Sequence, residues 1–230
     1  MNSADVDAIH CSLLVAGAAT LVVVPIGTAI ALGLVTAQRA SRFWQVAGGI
    51  GQWLVDFPLV LPPVVTGYAL LICFSPNHWP GEFLASCLGL RLLFHWSGAA
   101  VAAGVISLPL YVRAAQIGLE RIPRSLEEMA SLEGAGRWQI FRRISLPIAF
   151  PAMTLGTLLA FARCMGEFGA TIMVAGNIQG STQTISLRIY QQMSQPGVGS
   201  PSPWMLIAAI ATSAIALAIA HALRMRSNKI

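Results

Sequence analysis

Arg163 and Glu167 stand four residues apart in the otherwise apolar run LAFARCMGEFGATI. On a helix that spacing brings a guanidinium and a carboxylate onto one face, where each offsets the other's loss of hydration. Such a pair can gate a path or hold a structure at a membrane interface, and an ionisable residue at membrane depth is a site candidate by default. A second unusual run is PLVLPPVVTGY, in which Pro62 and Pro63 interrupt a helix and Thr66 and Gly67 follow. The break either turns backbone groups toward a central passage or merely shapes helix packing. Asp56, just upstream, reads as a structural residue, at a helix start or opposite a basic loop.

Other chemistries lack their residues. A phosphate-binding loop needs a lysine after its glycines, and the only lysine is Lys229 near the C-terminus, so the chain is not its own ATPase. His10, His78, His95 and His221 are scattered, with no HExxH pair and no GxSxG elbow. The four cysteines show no CxxC spacing, so neither a metal site nor a disulfide framework is indicated. No catalytic residue is assigned. The net charge of +5 is spread over short islands between apolar stretches, unlike the dense cationic face that nucleic acid requires.

The elements that must position these residues follow from composition. Of 230 residues 56% are hydrophobic and 10% charged, and the mean hydropathy is +0.70. Soluble proteins carry about 25% charged residues, and a helix needs about 20 apolar residues to cross a bilayer. The expectation is an all-α membrane protein, residues 1–230 forming one transmembrane domain with five or six spans. Apolar runs place spans at His10–Val35, Trp53–Phe74, Trp96–Ile117, Pro147–Met165 and Trp204–Leu223, and Gly169–Gly176 decides between five and six. Acidic residues stand at the N-terminus where a secretory signal is basic, so the first run is expected to remain as an anchor. With five spans and the N-terminus outside, eleven of the fourteen cations, Arg113 among them, fall on the inner side. Arg91 and Arg188 then fall outside and Arg163 within the membrane. The C-terminus is cytoplasmic in this arrangement, and the membrane is the cytoplasmic (inner) one.

The polar stretch from Gly118 to Leu146 is the longest piece on the inner side. Ser125 and Glu128 fit a capping box, predicting a helix from Leu126 with Leu126, Met129, Ala130 and Leu132 on its apolar side. Gly134-Ala135-Gly136 should stop that helix and leave room for close backbone approach. Trp138, Phe141 and Ile144 then recur at helical spacing, and Pro147 opens the next span. Physics alone allows an amphipathic loop on the membrane surface or an element that docks a protein.

Glu128-Met129-Ala130, three intervening residues, Gly134-Ala135-Gly136 and Ile144-Ser145-Leu146-Pro147 resemble the EAA loop of binding-protein-dependent ABC importer permeases. Met129 stands where that family has Ala, and Glu133 where Asp is common. PLVLPPVVTGY and GEFGATI, with GNIQGSTQTISLRIYQQMSQPG after them, are similar to permeases for tetrahedral oxyanions, above all the molybdate branch, with tungstate and sulfate as neighbours. The likeness runs from about residue 12 to 223. It implies that residues 118–147 form a cytoplasmic coupling loop, with Leu126, Glu128, Met129, Ala130, Glu133, Gly134, Ala135, Gly136 and Pro147 serving a separate ATPase. Pro62, Pro63, Thr66, Gly67, Arg163, Gly166, Glu167, Phe168, Gly169 and Thr171 are the implied pathway or gate residues. The implied partners are two ABC ATPase subunits, an extracytoplasmic oxyanion-binding protein and a second copy of the chain. ATP and Mg would be held by the ATPase, with no cofactor on this chain. The rival from another class, an ion-coupled secondary transporter, lacks its usual repeat and carboxylate cluster here.

Overall fold

The structure, a computed structural model, describes residues 3–87, 89, 92–194 and 203–227, and all regular structure among them is helical. Three helices form the frame: α1 (Ser3–Gln38), α5 (Trp96–Glu120) and α8 (Leu146–Met165). Each belongs to a stretch long and apolar enough to cross a membrane. Small residues let α5 approach both neighbours closely, as packing between helices in lipid requires. Ala16 and Ala19 of α1 meet Ala99, Ala100 and Ala103 of α5 in one fully buried seam. On the other side, a Cβ on Gly156 of α8 would stand 2.7 Å from Ala114 Cβ. Tyr111 is wholly buried between these helices and shares a 2.7 Å hydrogen bond with Thr28 of α1.

Between α1 and α5 lie α2 (Arg42–Val60), α3 (Pro63–Phe74) and α4 (Trp79–Cys87). The expected span Trp53–Phe74 is corrected here. Helix begins earlier, at Arg42, and the chain then turns through 112° between Val60 and Pro63. Pro58 is accommodated inside α2, whereas Leu61 and Pro62 adopt extended backbone and Pro63 starts a new helix at its first position, where its missing N–H is no loss. The first span is also longer than His10–Val35, because helical geometry continues through the polar ends of that apolar run.

After α5 come α6 (Arg124–Leu132) and α7 (Arg137–Ile140), which enters α8 through a π-helical turn at Phe141–Ser145. Residues 137–165 are therefore one continuous helical stretch, starting ten residues before the expected Pro147. Pro147 has no N–H to offer the preceding turn, and the helix passes this point with π-type bonding. Beyond α8 lie α9 (Gly169–Ala175), α10 (Ile185–Ser194) and α11 (Pro203–Ser227), which contains the expected last span. At seven residues, α9 is roughly 10 Å long, a third of the hydrocarbon thickness. Gly169–Gly176 is thus no complete span.

Candidate functional site

Two short helices far apart in sequence, α3 and α9, pack against each other with almost no side chain between them. A Cβ on Gly67 would lie 2.6 Å from Ala170 Cα and 3.0 Å from Ala170 O. Reciprocally, a Cβ on Gly169 would lie 3.1 Å from Pro63 Cβ and from Val64 N. The structure therefore brings together the two stretches singled out by the sequence, PPVVTG and GEFGAT. Thr66 and Thr171 are both buried at this crossing, and among the described residues neither hydroxyl finds a hydrogen-bond partner. Pro62 and Gly166 remain exposed at its edge, and the Phe168 ring rests 5.0 Å from that of Tyr190 on α10.

Glu167 fastens this crossing to the frame. Its carboxylate accepts from the backbone N–H of Ala170 at 2.9 Å, capping α9 where the helix leaves N–H groups unpaired. The same carboxylate pairs with Arg163 at 2.8 Å and is 2% exposed. The expected pair is present, although α8 ends at Met165, so Glu167 reaches Arg163 from beyond the helix end. Cys164 adds a link to α5 through Ser107 Oγ at 3.2 Å.

A second surface lies on α6 and the turn after it. No α6 side chain is buried; Leu126, Met129 and Leu132 are exposed, and so is Glu128. The expected capping box of Ser125 and Glu128 does not form. Pro123, in extended backbone, takes the N-cap position, so helix begins at Arg124 and Ser125 sits inside the first turn. The predicted stop is present: Gly134 has φ +87°, Gly134 N donates to Ser131 O and Ala135 N to Ala130 O, both at 3.0 Å. These two bonds are the paired closure that a left-handed glycine permits after a helix, with Glu133 as the last half-helical residue. Gly136 differs. Its φ of −70° suits any residue, and a Cβ there would meet nothing within 4 Å. Gly136 is the N-cap residue of α7, and among the described residues nothing crowds the position. Pro147 lies apart from this surface, in the first turn of α8.

Sequence reasoning missed Glu127. Its carboxylate takes Arg39 Nη1 at 2.7 Å from the end of α1 and Ser145 Oγ at 3.2 Å from the π turn. Arg39 also donates to Leu119 O at 3.3 Å, so the ends of α1 and α5, helix α6 and the π turn meet at one clamp. Glu127→Ala should speed hydrogen exchange of α6 amides by about fivefold, the effect of roughly 1 kcal/mol for a half-buried ion pair. Unchanged exchange would show that the clamp holds nothing in place.

Comparison with known proteins supplies a context. Residues 29–227 match the family described as binding-protein-dependent transport system inner membrane component. The chain is similar to the molybdenum transport system permease protein ModB of Escherichia coli (strain K12), 44% identical over 175 residues that cover 74% of this chain and 76% of that one. The protein of the same name from Haemophilus influenzae is 37% identical over 225 residues, 98% of this chain and 96% of its own. Among solved structures, a bacterial ABC transporter that imports the acidic polysaccharide alginate is similar in fold, with a TM-score of 0.71 at 18% identity over 100% of this chain and 81% of the other.

Proposed function

Because this chain belongs to the family of binding-protein-dependent transport system inner membrane components, we propose that it is the permease subunit of an ATP-driven importer that moves molybdate across the cytoplasmic membrane. The chain is a multi-pass membrane component of transport and not itself an enzyme. Its similarity over nearly its whole length to a molybdenum permease carries the choice of substrate.

Two ATPase subunits, holding ATP and Mg, dock on the loop 118–147 of a permease homodimer whose passage runs along the two-fold axis. An extracytoplasmic protein delivers the oxyanion, the N-terminus lies outside and the C-terminus in the cytoplasm. The exposed apolar residues of α6 and the open space around Gly136 support this docking role. Close backbone contact between α3 and α9, beside a helix break, supports a gate: irregular backbone at membrane depth is tolerated where it lines a passage or is covered by protein. ATP binding closes the ATPase pair and favours the outward-facing permease; hydrolysis and release restore the inward-facing one. Each state is selected by differential contact at the loop.

Reconstituted in proteoliposomes with its ATPase and binding protein, the chain is expected to take up labelled molybdate only when ATP and all three components are present, with excess sulfate competing weakly. Strong sulfate competition would retain the machine and change its cargo to sulfate. Uptake without the ATPase would favour an ion-coupled carrier.

A further inference from the structure

Arg113 falls on the inner side of the expected topology, near the inner end of the span Trp96–Ile117, and in the fold it is a residue of α5, seven before the helix end at Glu120, or roughly 10 Å along its axis. Its partner, Asp56, sits fourteen residues into α2, roughly 21 Å from that helix's start at Arg42. The pair therefore lies within both helices and not in the loops that join them. Arg113 Nε donates to Asp56 Oδ1 at 3.1 Å, and Nη2 donates to Oδ2. Gln52 Nε2 donates to the same Oδ2 at 2.9 Å, and Gln116 Nε2 to Gln52 Oε1 at 2.6 Å. These side chains make a polar ladder between two apolar helices.

The ladder is lopsided. Asp56 is one-fifth exposed and its two oxygens already accept three N–H groups, whereas the Arg113 side chain is 59% exposed. Among the described residues no group takes up its Nη1. A guanidinium facing acyl chains is costly, so intramembrane arginines face the bundle interior or a water-filled cavity. Resting on the importer reading above, we infer that Arg113, held and half-neutralised by Asp56, is an anion-contacting residue of the passage that touches the tetrahedral oxyanion on its inner side of the gate. The planar fork of N–H groups suits two oxygens of such an anion. The carboxylate beside it keeps net charge near zero, so a dianion is guided without being trapped.

The competing role is a stitch between α2 and α5, and paired substitutions separate the two. In the complete importer reconstituted in proteoliposomes, R113Q is expected to lower molybdate uptake by about tenfold or more, the loss of one charge-assisted contact. R113K, which keeps the charge without the fork, should recover part of it. The double variant D56N/R113Q removes both charges and so relieves any unpaired carboxylate, yet uptake should stay low. Return of uptake to the wild-type rate in the double variant would overturn the inference. In a chain whose four cysteines are replaced, R113C should react with a water-soluble thiol reagent and be protected by molybdate; absence of labelling would also overturn it. Failure of the unsubstituted importer to transport any oxyanion would instead refute the importer reading.

Discussion

Gly67→Val is expected to cut uptake by the reconstituted importer by about tenfold or more while leaving its association with the ATPase intact. The added Cβ would meet Ala170 Cα at 2.6 Å, Ala170 O at 3.0 Å and Met173 Cβ at 3.0 Å. The first two are backbone atoms and cannot rotate away, so α3 must part from α9. Forcing atoms into a packed contact costs about 1–3 kcal/mol, enough to move a two-state equilibrium by about 5- to 150-fold. In the proposed gate the closed state loses that stability, and the ATPase is expected to turn over without being prompted by the loaded binding protein. Gly17→Val on α1 is the control, since a Cβ there meets nothing within 4 Å; its uptake should match the unsubstituted chain. Equal uptake by both variants would remove the α3–α9 contact from the transport cycle.

Gly136→Trp is expected to abolish co-purification of the ATPase and, with it, ATP-dependent uptake. The position makes an unusually clean test. Substituting Gly134 forces a side chain into left-handed backbone at φ +87°, costing about 1–2 kcal/mol whatever docks there. Gly136 has backbone open to any residue and open space around an added Cβ, so a substitution there starts without backbone strain. If Gly136→Trp retains the ATPase at wild-type affinity, docking uses some other surface.

What was legible in the sequence was local. Gly134 ends α6 because a left-handed residue is needed there, and the two prolines at 62 and 63 break the chain because Pro63 pushes the residue before it into extended backbone. The Arg163–Glu167 pair was also legible, from its spacing of four. The capping box failed for a local reason as well: Pro123 competes for the N-cap position and wins it, leaving Ser125 inside the helix. Contacts that join distant segments left no such trace. Glu127 finds Arg39 across 88 residues, Arg113 finds Asp56 across 57, and Gly67 meets Ala170 across the whole of α5 and α8. Spacing says nothing of these, because they depend on how the frame helices stack. Arg113 already stood near the inner end of the expected span Trp96–Ile117, and only the fold shows that its partner is Asp56.

The unbroken helix from Arg137 to Met165 begins one residue after Gly136 and ends two residues before Glu167. Its 29 residues make a rod roughly 43 Å long. Rods amplify: a tilt of about 5° at the end beside the proposed docking turn would swing the far end by roughly 4 Å, about the width of a side chain. Movement of that size would arrive two residues from the carboxylate that caps α9 without a chain of intermediate side-chain rearrangements. The π turn sets where the rod can yield, so a substitution that restores ordinary α-helical bonding across Phe141–Ser145 would rotate everything beyond it and misdirect the stroke without touching either end.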